Sequence, residues 1–556
     1  MTSEPIFSDD NAEKIDRSPS ITQHVKSNDD AEEPPKQDAT SHKETIFPKG
    51  LSRALTLTSS ALAMFLISLD RTIIATAIPR ITDEFHSLND IGWYATTYMI
   101  TNCAFQLVFG KIYKFYSTKW VFLFVFGIFE VGSAICGAAP NSVALIVGRA
   151  IAGLGASGVV SGSMMILVHT VPLHKRPLYA ALFAATVGVA SILGPVLGGV
   201  LTSNASWRWC FYINLPIGGI TIPVIIFCLK TPSPCTTKST LMEQLAKLDP
   251  LGTLCFVPSV ICLVLALQWG GSTYAWSDRR VVACLVIFAM LMLAFIGIQI
   301  RAGDKATVPP RIIKQRSIAS GAWLQFCGAG SVYILAYYMP LWFQAVKSVD
   351  AAQSGVRILP TVVALIIGAF AGGLITKKSG YYVPVVILSA IVAPIGVGLI
   401  TTFEPDTTYE KWIGYQVLYG LGQGMSMQVA PLLAQTVLSK TDVSIGTAIM
   451  LFAQQLGSIV FIAISQNIFL GHLLRNLSRI SGLDASTILN TGATDLRTII
   501  PIGDLFAVIQ AYNGGVVKTF DISTACACLV ALSAVAMEWR SIKREVTKSI
   551  PQEEDA

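Results

Sequence analysis

Apolar residues along this chain gather into long unbroken runs, not into the one-sided stripes of soluble helices. Read in windows of about twenty residues, roughly fourteen such runs tile it from about Leu55 to Met537. The expected spans are 55–78, 92–112, 120–138, 143–167, 178–201, 209–229, 250–268, 280–300, 317–340, 356–376, 382–402, 412–436, 444–468 and 518–537. A soluble protein can carry one long apolar helix in its core. It cannot bury this many, because each would need its own polar sheath. The pattern predicts an all-α polytopic membrane protein.

Short polar segments between the runs set the expected orientation, because basic residues stay on the cytoplasmic side. With the N-terminus inside, the inside loops hold Lys111, Lys114 and Lys119, then Lys175 and Arg176, then Lys230, Lys238 and Lys247. Arg301, Lys305, Arg311, Lys314 and Arg316 follow, then Lys377, Lys378, Lys440 and the tail bases Arg540, Lys543, Arg544 and Lys548. Outside loops are poorer in base, with Arg279 and Arg280 as exceptions. An even number of spans then leaves both termini inside. Residues 1–50, rich in Ser, Asp, Glu, Lys and Pro, read as a disordered cytoplasmic tail, and 540–556 as a second tail. No basic n-region precedes an early apolar stretch, so the first span reads as an internal signal anchor. The segment 470–517 is the longest loop and falls outside. It contains Asn476-Leu477-Ser478, a glycosylation acceptor pattern; Asn204-Ala205-Ser206 is squeezed between two spans.

Composition agrees with the pattern: 53% of residues are hydrophobic and 13% charged, which leaves no room for a large soluble domain. The net charge of +6 is dispersed over loops beside spans, which topology explains, so it is no nucleic-acid signature. Eleven cysteines, among them Cys103, Cys136, Cys255, Cys262, Cys284 and Cys327 in apolar runs, form no CxxC pair and read as inert thiols. Cys526 and Cys528 point to different faces of the last span. Six histidines form no cluster, and no metal spacing or nucleotide loop is present, so neither an enzyme nor a cofactor is expected.

A weak internal repeat predicts two halves. The second span ends in Gly110-Lys111-Ile112 and a basic turn; the tenth ends in Gly372-Gly373-Leu374 and then Lys377-Lys378. Duplicated halves of this kind are common in secondary transporters, with the substrate site near mid-membrane between them. The expected division is a first six-helix bundle at 51–230, two additional helices with linkers at 231–316, and a second six-helix bundle at 317–539.

A charge at helix centre costs about 2.5–3.5 kcal/mol on insertion scales, so each one needs a reason. Four stand out: Asp70 and Arg71 in span one, Glu130 in span three and Arg149 in span four. Acid and base at similar depth can pair, and the pair can exchange a proton for release or for a substrate cation. The plainer reading is a salt bridge that only locks helices together. Function is favoured for Asp70 and Arg149, both readings stand for Glu130, and Arg71 can also reach the interface. A partly desolvated carboxylate is the natural proton carrier. A proton entering down the membrane potential supplies about 2.3 kcal/mol per 100 mV.

Two further clusters bear on transport. Small residues recur in R-A-I-A-G-L-G-A-S-G from Arg149 and in G-V-A-S-I-L-G-P-V-L-G-G from Gly188, where Pro195 bends the helix; Gly420 to Gly424 repeats the theme. Tight packing is part of the explanation, and Gly188, Gly194, Pro195, Gly198 and Gly199 are also candidates for a gate. Amide and aromatic residues of the second half, Gln325, Tyr333, Tyr337, Gln344, Gln423, Gln428, Gln454 and Gln455, are candidates for a cavity suited to large, partly apolar compounds. Interhelical hydrogen bonding is the alternative for each.

These residues also carry a resemblance. The chain resembles the major facilitator superfamily, and within it the fourteen-span drug:proton antiporters of fungi of the mycotoxin-efflux type. L-D-R-T-I-I-A-T-A-I-P from Leu69 is similar to that family's first-span element. G-K-I-Y-K-F-Y-S-T-K-W from Gly110 stands in the place of the superfamily's loop motif, covering Gly110, Lys111, Lys114 and Lys119. The Arg149 segment resembles the motif linked to proton transfer, the Gly188 segment the antiporter motif, and W-R-W-C-F-Y-I-N-L-P-I-G from Trp207 a hallmark of the fourteen-span branch. Phe129 to Gly137, Tyr337 to Lys347, Ser354 to Pro360 and Gly446 to Gln455 look like the fungal branch, so the resemblance covers about 55–537. Two departures matter. Lys114 stands where the superfamily usually has Asp, so the usual salt-bridge latch there is not available, and Ala152 stands where Gln is common.

The resemblance implies a major facilitator fold, with two six-helix bundles plus two extra helices between them. It also implies proton-driven export of small organic molecules by alternating access, from a monomer. Asp70 would be the proton carrier, Arg149 its modulator and Glu130 a second acid. Uptake of a siderophore or nutrient, or a membrane sensor without turnover, are the rival readings. The plasma membrane is the expected home, with the vacuolar membrane as the alternative.

Overall fold

A helix satisfies its own backbone inside lipid, and long apolar runs have no cheaper option. The computed structural model follows that rule across the described residues, 50–87, 90–229, 248–271, 273–349, 351–478 and 502–542. Among them there is no strand, and the isolated bridges Gly270–Tyr274 and Tyr381–Ser541 are the nearest approach to one. The expected disorder of residues 1–49, the inside bases Lys230, Lys238, Lys247, Lys543, Arg544 and Lys548, and positions 479–501 of the long loop lie outside the described residues.

The helices are α1 (Gly50–Phe85), α2 (Ile91–Phe115), α3 (Thr118–Gly137), α4 (Ser142–Thr170), α5 (Arg176–Asn204), α6 (Trp209–Tyr212) and α7 (Asn214–Cys228). Two inserted helices follow, α8 (Pro250–Trp269) and α9 (Arg279–Ala302). After the single turn Pro310–Ile313 come α10 (Arg316–Ala345), α11 (Ala351–Arg357), α12 (Leu359–Ser379) and α13 (Val383–Ile400). The last are α14 (Tyr409–Ser426), α15 (Val429–Val437), α16 (Val443–Leu477) and α17 (Ile502–Ala536). Twelve helical stretches among the described residues are long and apolar enough to cross a membrane. The two expected spans outside that set are helical but compromised. The stretch 92–112 lies in α2, which carries Thr96, Thr97, Thr101, Asn102, Gln106 and Lys111. The stretch 412–436 is broken at Met427-Gln428 into α14 and α15.

Three helices overshoot the expected spans, and packing is the reason. α16 continues to Leu477 and α17 starts at Ile502, so much of the expected loop 470–517 is helix. Phe469, Leu473 and Leu477 of α16 are buried against Val508, Ile509, Tyr512 and Val516 of α17, which carries both helices beyond the apolar run. α1 likewise runs from Gly50 to Phe85.

Within the first seven helices, α1 packs on α5 and α7, α4 on α2 and α3, and α3 on α7. From α10 onward the same pattern returns: α10 on α16 and α17, α14 on α12 and α13, and α13 on α17. The two sets meet along two equivalent seams, α2 with α16 and α5 with α12. Small residues permit the close approaches. Gly194 and Gly198 of α5 lie on Thr72, Ile73 and Thr76 of α1, and Gly420 and Gly424 of α14 lie on the backbone of α12 at Thr361 and Leu365. A Cβ at any of these four would collide.

The inserted pair is fastened to both sets. Phe256, Val260 and Val264 of α8 share a core with Ile100, Cys103 and Leu107 of α2 and with Ile449 and Ile459 of α16. At one end Trp269 meets Trp93 edge-on at 5.8 Å, and Trp276 Nε1 donates to Asn467 Oδ1 of α16 at 3.0 Å. At the other, Asp249 sits at φ 54° and caps α8 by accepting from Gly252 N at 2.9 Å. It also accepts from Gln299 Nε2 and from both Thr307 donors. Burial pushes the Asp249 carboxyl up, but these hydrogen bonds outweigh it and hold the group below the ordinary aspartate value.

Candidate functional site

Two ionic centres stand out. The first is dry. Asp70 of α1 and Arg149 of α4 pair at 2.6 Å (Oδ2 to Nη1) with side chains 0% and 1% exposed. Arg149 Nε donates to the Tyr94 carbonyl at 2.9 Å, and its guanidinium lies 4.4 Å from the Tyr98 ring centre. Asn214 Nδ2, at the start of α7, donates to Asp70 Oδ1 at 3.4 Å and to Ser133 Oγ at 3.0 Å. Residues of α4 and α7 thus meet the Asp70 carboxylate of α1, and α2 and α3 hold those partners in turn.

Glu130 of α3 is near this centre and differs from it. It is buried, and neither carboxylate oxygen has a hydrogen-bond partner; Asn214 Oδ1 is also without one. Its carboxylate rests on Gly218, where a Cβ would occupy the same space. Asn214 and Gly218 are four residues apart on α7, so they share the face that meets Glu130 and Asp70.

Arg71 turns the other way, toward the second set. Its Nη1 donates to Tyr333 Oη of α10 at 2.9 Å, and its guanidinium sits 4.6 Å from that ring centre. Beside it a narrow cavity, with room for about one water molecule, is lined by Arg71, Tyr98, Met99, Asn102, Gln455 and Ile459. Gln455 Nε2 of α16 donates to Asn102 Oδ1 of α2 at 3.1 Å, closing the seam there.

The second ionic centre is at the base-rich end and crosses the seam. Asp442, just before α16, takes Lys114 Nζ at 2.9 Å and Arg311 Nη1 at 2.8 Å, and accepts from Ser439 Oγ at 2.9 Å. Burial pushes the Asp442 carboxyl up; hydrogen bonds from Arg311, Lys114 and Ser439 outweigh this and hold it below the ordinary aspartate value. The loop motif therefore does make an ion pair between the two sets, with base and acid exchanged relative to the usual latch. Around it, Gly110 lies on Ala448 and Ser444 of α16, and Lys111 Nζ donates to the Lys305 carbonyl at 2.5 Å. Across the other seam, Arg176 Nη1 donates to Gln435 Oε1 at 3.3 Å, and Gly373 lies on Pro177. This end is shut. Lys119 stands apart, donating to the Ile226 carbonyl at 2.5 Å.

The remaining sequence candidates disperse. Gly188 of α5 approaches Val362 and Ile366 of α12, Pro195 is inside α5, and Gly199 faces open space. Of the expected cavity set, Gln455 and Tyr333 reach the central space. Gln423 Nε2 donates to the Gly328 carbonyl at 3.2 Å and Gln344 Nε2 to Ser354 Oγ at 3.0 Å, both bonds that hold the second set together. Gln325 is buried on α10, Gln454 is half-buried on α16, and Gln428 lines a second narrow pocket near Pro177 and Gly373. Tyr337 is 60% exposed and stacks edge-on with Tyr338. Asn476 is half-buried in the last turn of α16, not in an open loop. Sequence reading missed Tyr98, Asn102, Asn214, Arg311 and Asp442. Asn214 lies within the Trp207 motif and Arg311 among the inside bases, neither singled out there, and Asp442 carried the signal of a Ser-Lys-Thr-Asp turn before an apolar run, typical of a helix start.

Two repeated sets of membrane helices, with a buried ion pair in one and a cavity on the seam between them, define a secondary transporter. The profile of the Major Facilitator Superfamily matches residues 60–462, and the chain belongs to that family. Among similar proteins is the MFS-type efflux pump MFS1 of Arthroderma benhamiae, 49% identical over 496 residues, covering 89% of this chain and 92% of that protein. The efflux pump aflT of Aspergillus parasiticus is 47% identical over 498 residues, covering 89% of this chain and 97% of its own length. The rubrofusarin-specific efflux pump aurT of Gibberella zeae is 45% identical over 500 residues, covering 90% and 92%. In fold, the chain is similar to a bacterial homologue of the human lysosomal transporter Spinster. The TM-score is 0.52 at 15% identity, over 88% of this chain and 98% of that one. The chain is a membrane transporter of the efflux-pump branch and not an enzyme.

Proposed function

We propose that this protein exports small organic molecules in exchange for protons, by alternating access between its two helix sets. The observation that carries the reading is the dry Asp70–Arg149 pair with a partnerless buried carboxyl, Glu130, close by and the seam cavity on its other side. Arg149 and Asp70 compensate each other's charge at 2.6 Å. A proton arriving on Asp70 removes the charge that Arg149 needs, and a buried cation left alone costs about 3–5 kcal/mol. That cost is relieved by rearranging α1 against α4, which moves the wall of the cavity. Glu130, buried with no hydrogen-bond partner on either oxygen, serves as the second acid, with Asn214 between the two carboxyls. The export direction follows the relatives named as efflux pumps. The base-rich end is cytoplasmic, the protein acts as a monomer, and its home is the plasma membrane.

The test is accumulation of a panel of fungal metabolites and azoles in cells with and without the protein, with and without a protonophore. Lower accumulation that the protonophore abolishes is the expected result, and Asp70→Asn at normal surface level should abolish it too. Higher accumulation would mean uptake. No change for any compound at good surface expression would favour a sensor, and undiminished export by Asp70→Asn would remove Asp70 from the coupling.

A further inference from the structure

Among the described residues, Arg71 is the charge of the central region left over by the proton-coupling scheme, and no carboxylate there pairs with it. We propose that Arg71 is the recognition point for an acidic group on the substrate, so that the transported molecules are aromatic organic anions such as carboxylates or phenolates. This assignment deepens the exporter reading above and rests on it.

The argument begins with charge. A guanidinium stays ionised in any protein environment and offers five donors. Only Tyr333 Oη takes a hydrogen bond from it among the described contacts, and no carboxylate lies within ion-pair distance. Asp70 is its neighbour in sequence, but successive helix positions diverge by about 100°, and Asp70 is committed to Arg149 and Asn214. The facing helices supply no anion either. α10 has no charged residue after Arg316, and α16 has none before its last two turns. Arg71 lies inside the apolar run 55–78, and its guanidinium is engaged there by Tyr333 and not extended toward the surface. An unpaired charge at such depth is costly, and it is tolerated where it faces a substrate route.

The rest of the lining says what kind of anion. The Tyr98 ring, Met99 and Ile459 present apolar surface, while Asn102 and Gln455 present an amide pair already bonded across the seam. Tyr333 lies under the guanidinium as a flat aromatic floor. An aromatic acid would place its ring on the apolar side and its oxygens on the guanidinium fork, displacing the Tyr333 hydroxyl. The cavity now holds about one water molecule, so the anion enters as the Asn102–Gln455 contact parts. The seam contact and the substrate would then compete for the same residues, which couples loading to the opening of the seam.

The experiment uses the purified full-length protein in liposomes with an imposed pH gradient and three probes sharing one ring system. These are anthraquinone-2-carboxylate, its amide, and its aminomethyl analogue. The expected result is transport of the carboxylate in preference to the other two. Arg71→Gln should then raise the carboxylate KM about tenfold while leaving the amide KM within about twofold, and Arg71→Lys should recover part of the loss. Binding, read as thermal stabilisation by each probe, provides the same comparison for any variant that does not turn over. Equal handling of carboxylate and amide by the wild type, preference for the amine, or an unchanged carboxylate KM in Arg71→Gln would each overturn the assignment. The exporter reading is tested separately by the protonophore experiment in cells, so a protein that passes that test but ignores probe charge removes only the role of Arg71.

Discussion

The two ionic centres are built from similar parts and behave in opposite ways. Asp70–Arg149 lies within one helix set, with both partners fully buried and held by further contacts. Asp442 with Lys114 and Arg311 crosses between sets, and its bases are exposed to 16% and 50%. Separating the two sets leaves the first pair untouched and tears the second. In the proposed scheme a proton on Asp70 disrupts the first, whereas the acid of the second is held below the ordinary aspartate value by its hydrogen bonds. The proposed scheme thus gives chemistry and motion to different pairs, and each can be disturbed alone.

The largest effect should come from Arg149→Met, which strands Asp70 in a dry site with one long amide contact. The expected loss is about 3–5 kcal/mol, read as a lower melting temperature in detergent. Adding Asp70→Asn should restore most of that stability without restoring export, because a neutral pair no longer needs compensation. Next is Asp442→Asn, which leaves the fold intact and weakens closure at the base-rich end. In a Ser444→Cys background, whose side chain is buried on the seam, thiol labelling from that end should accelerate about tenfold. A labelling rate unchanged by Asp442→Asn would show that the apolar contact of Gly110 with Ala448 carries the closure by itself. Arg311→Gln, removing the more exposed partner, should change the same rate only about twofold.

The smallest effects separate the centres by conditions. Raising salt should speed Ser444→Cys labelling modestly and leave the stability lost in Arg149→Met unchanged, since only the exposed pairs are screened. For pH the sign follows from Asp442 being held below its ordinary value near 3.8. Its contribution is fully present above that value and is lost only as pH falls through the lower folded value. The labelling rate of Asp442→Asn relative to the parent at the same pH, a ratio in which the rising thiolate fraction cancels, should therefore be level from about pH 5.5 to 8, the range in which proton-driven export is expected to vary. A ratio that changes across that range would mean the two centres are not independent.

What the sequence disclosed follows from contrast. Asp70, Arg71, Glu130 and Arg149 were visible because a charge inside an apolar run has no ordinary explanation. Asp442 was not, since it sits in a polar turn with Ser439, Lys440 and Thr441, where a carboxylate is unremarkable. Its importance comes from Lys114, 328 positions away. Asn214 lies in the quoted Trp207 motif but was not singled out for a similar reason: an amide near a helix start usually caps, and only the fold turns it toward Asp70 and Ser133. The amide-rich second half misled in the other direction. Gln423 and Gln344 look like cavity residues in sequence and are spent on interhelical bonds. The boundaries of α16 and α17 failed because apolarity marks where lipid is, while the helices continue for as long as they have each other to pack on.

One consequence concerns doorways. The seams α2–α16 and α5–α12 are twins by construction, but α8 is laid along the first, sharing a core with both of its helices, while among the described residues the second has the two-turn α11 near it. A compound dissolved in the bilayer therefore meets a boarded side and an open one. An exporter that recovers its cargo from the membrane before it reaches the cytosol would do so by the α5–α12 side, past Val189 and Val196. The inserted helices, read this way, give a two-fold symmetric machine a front and a back.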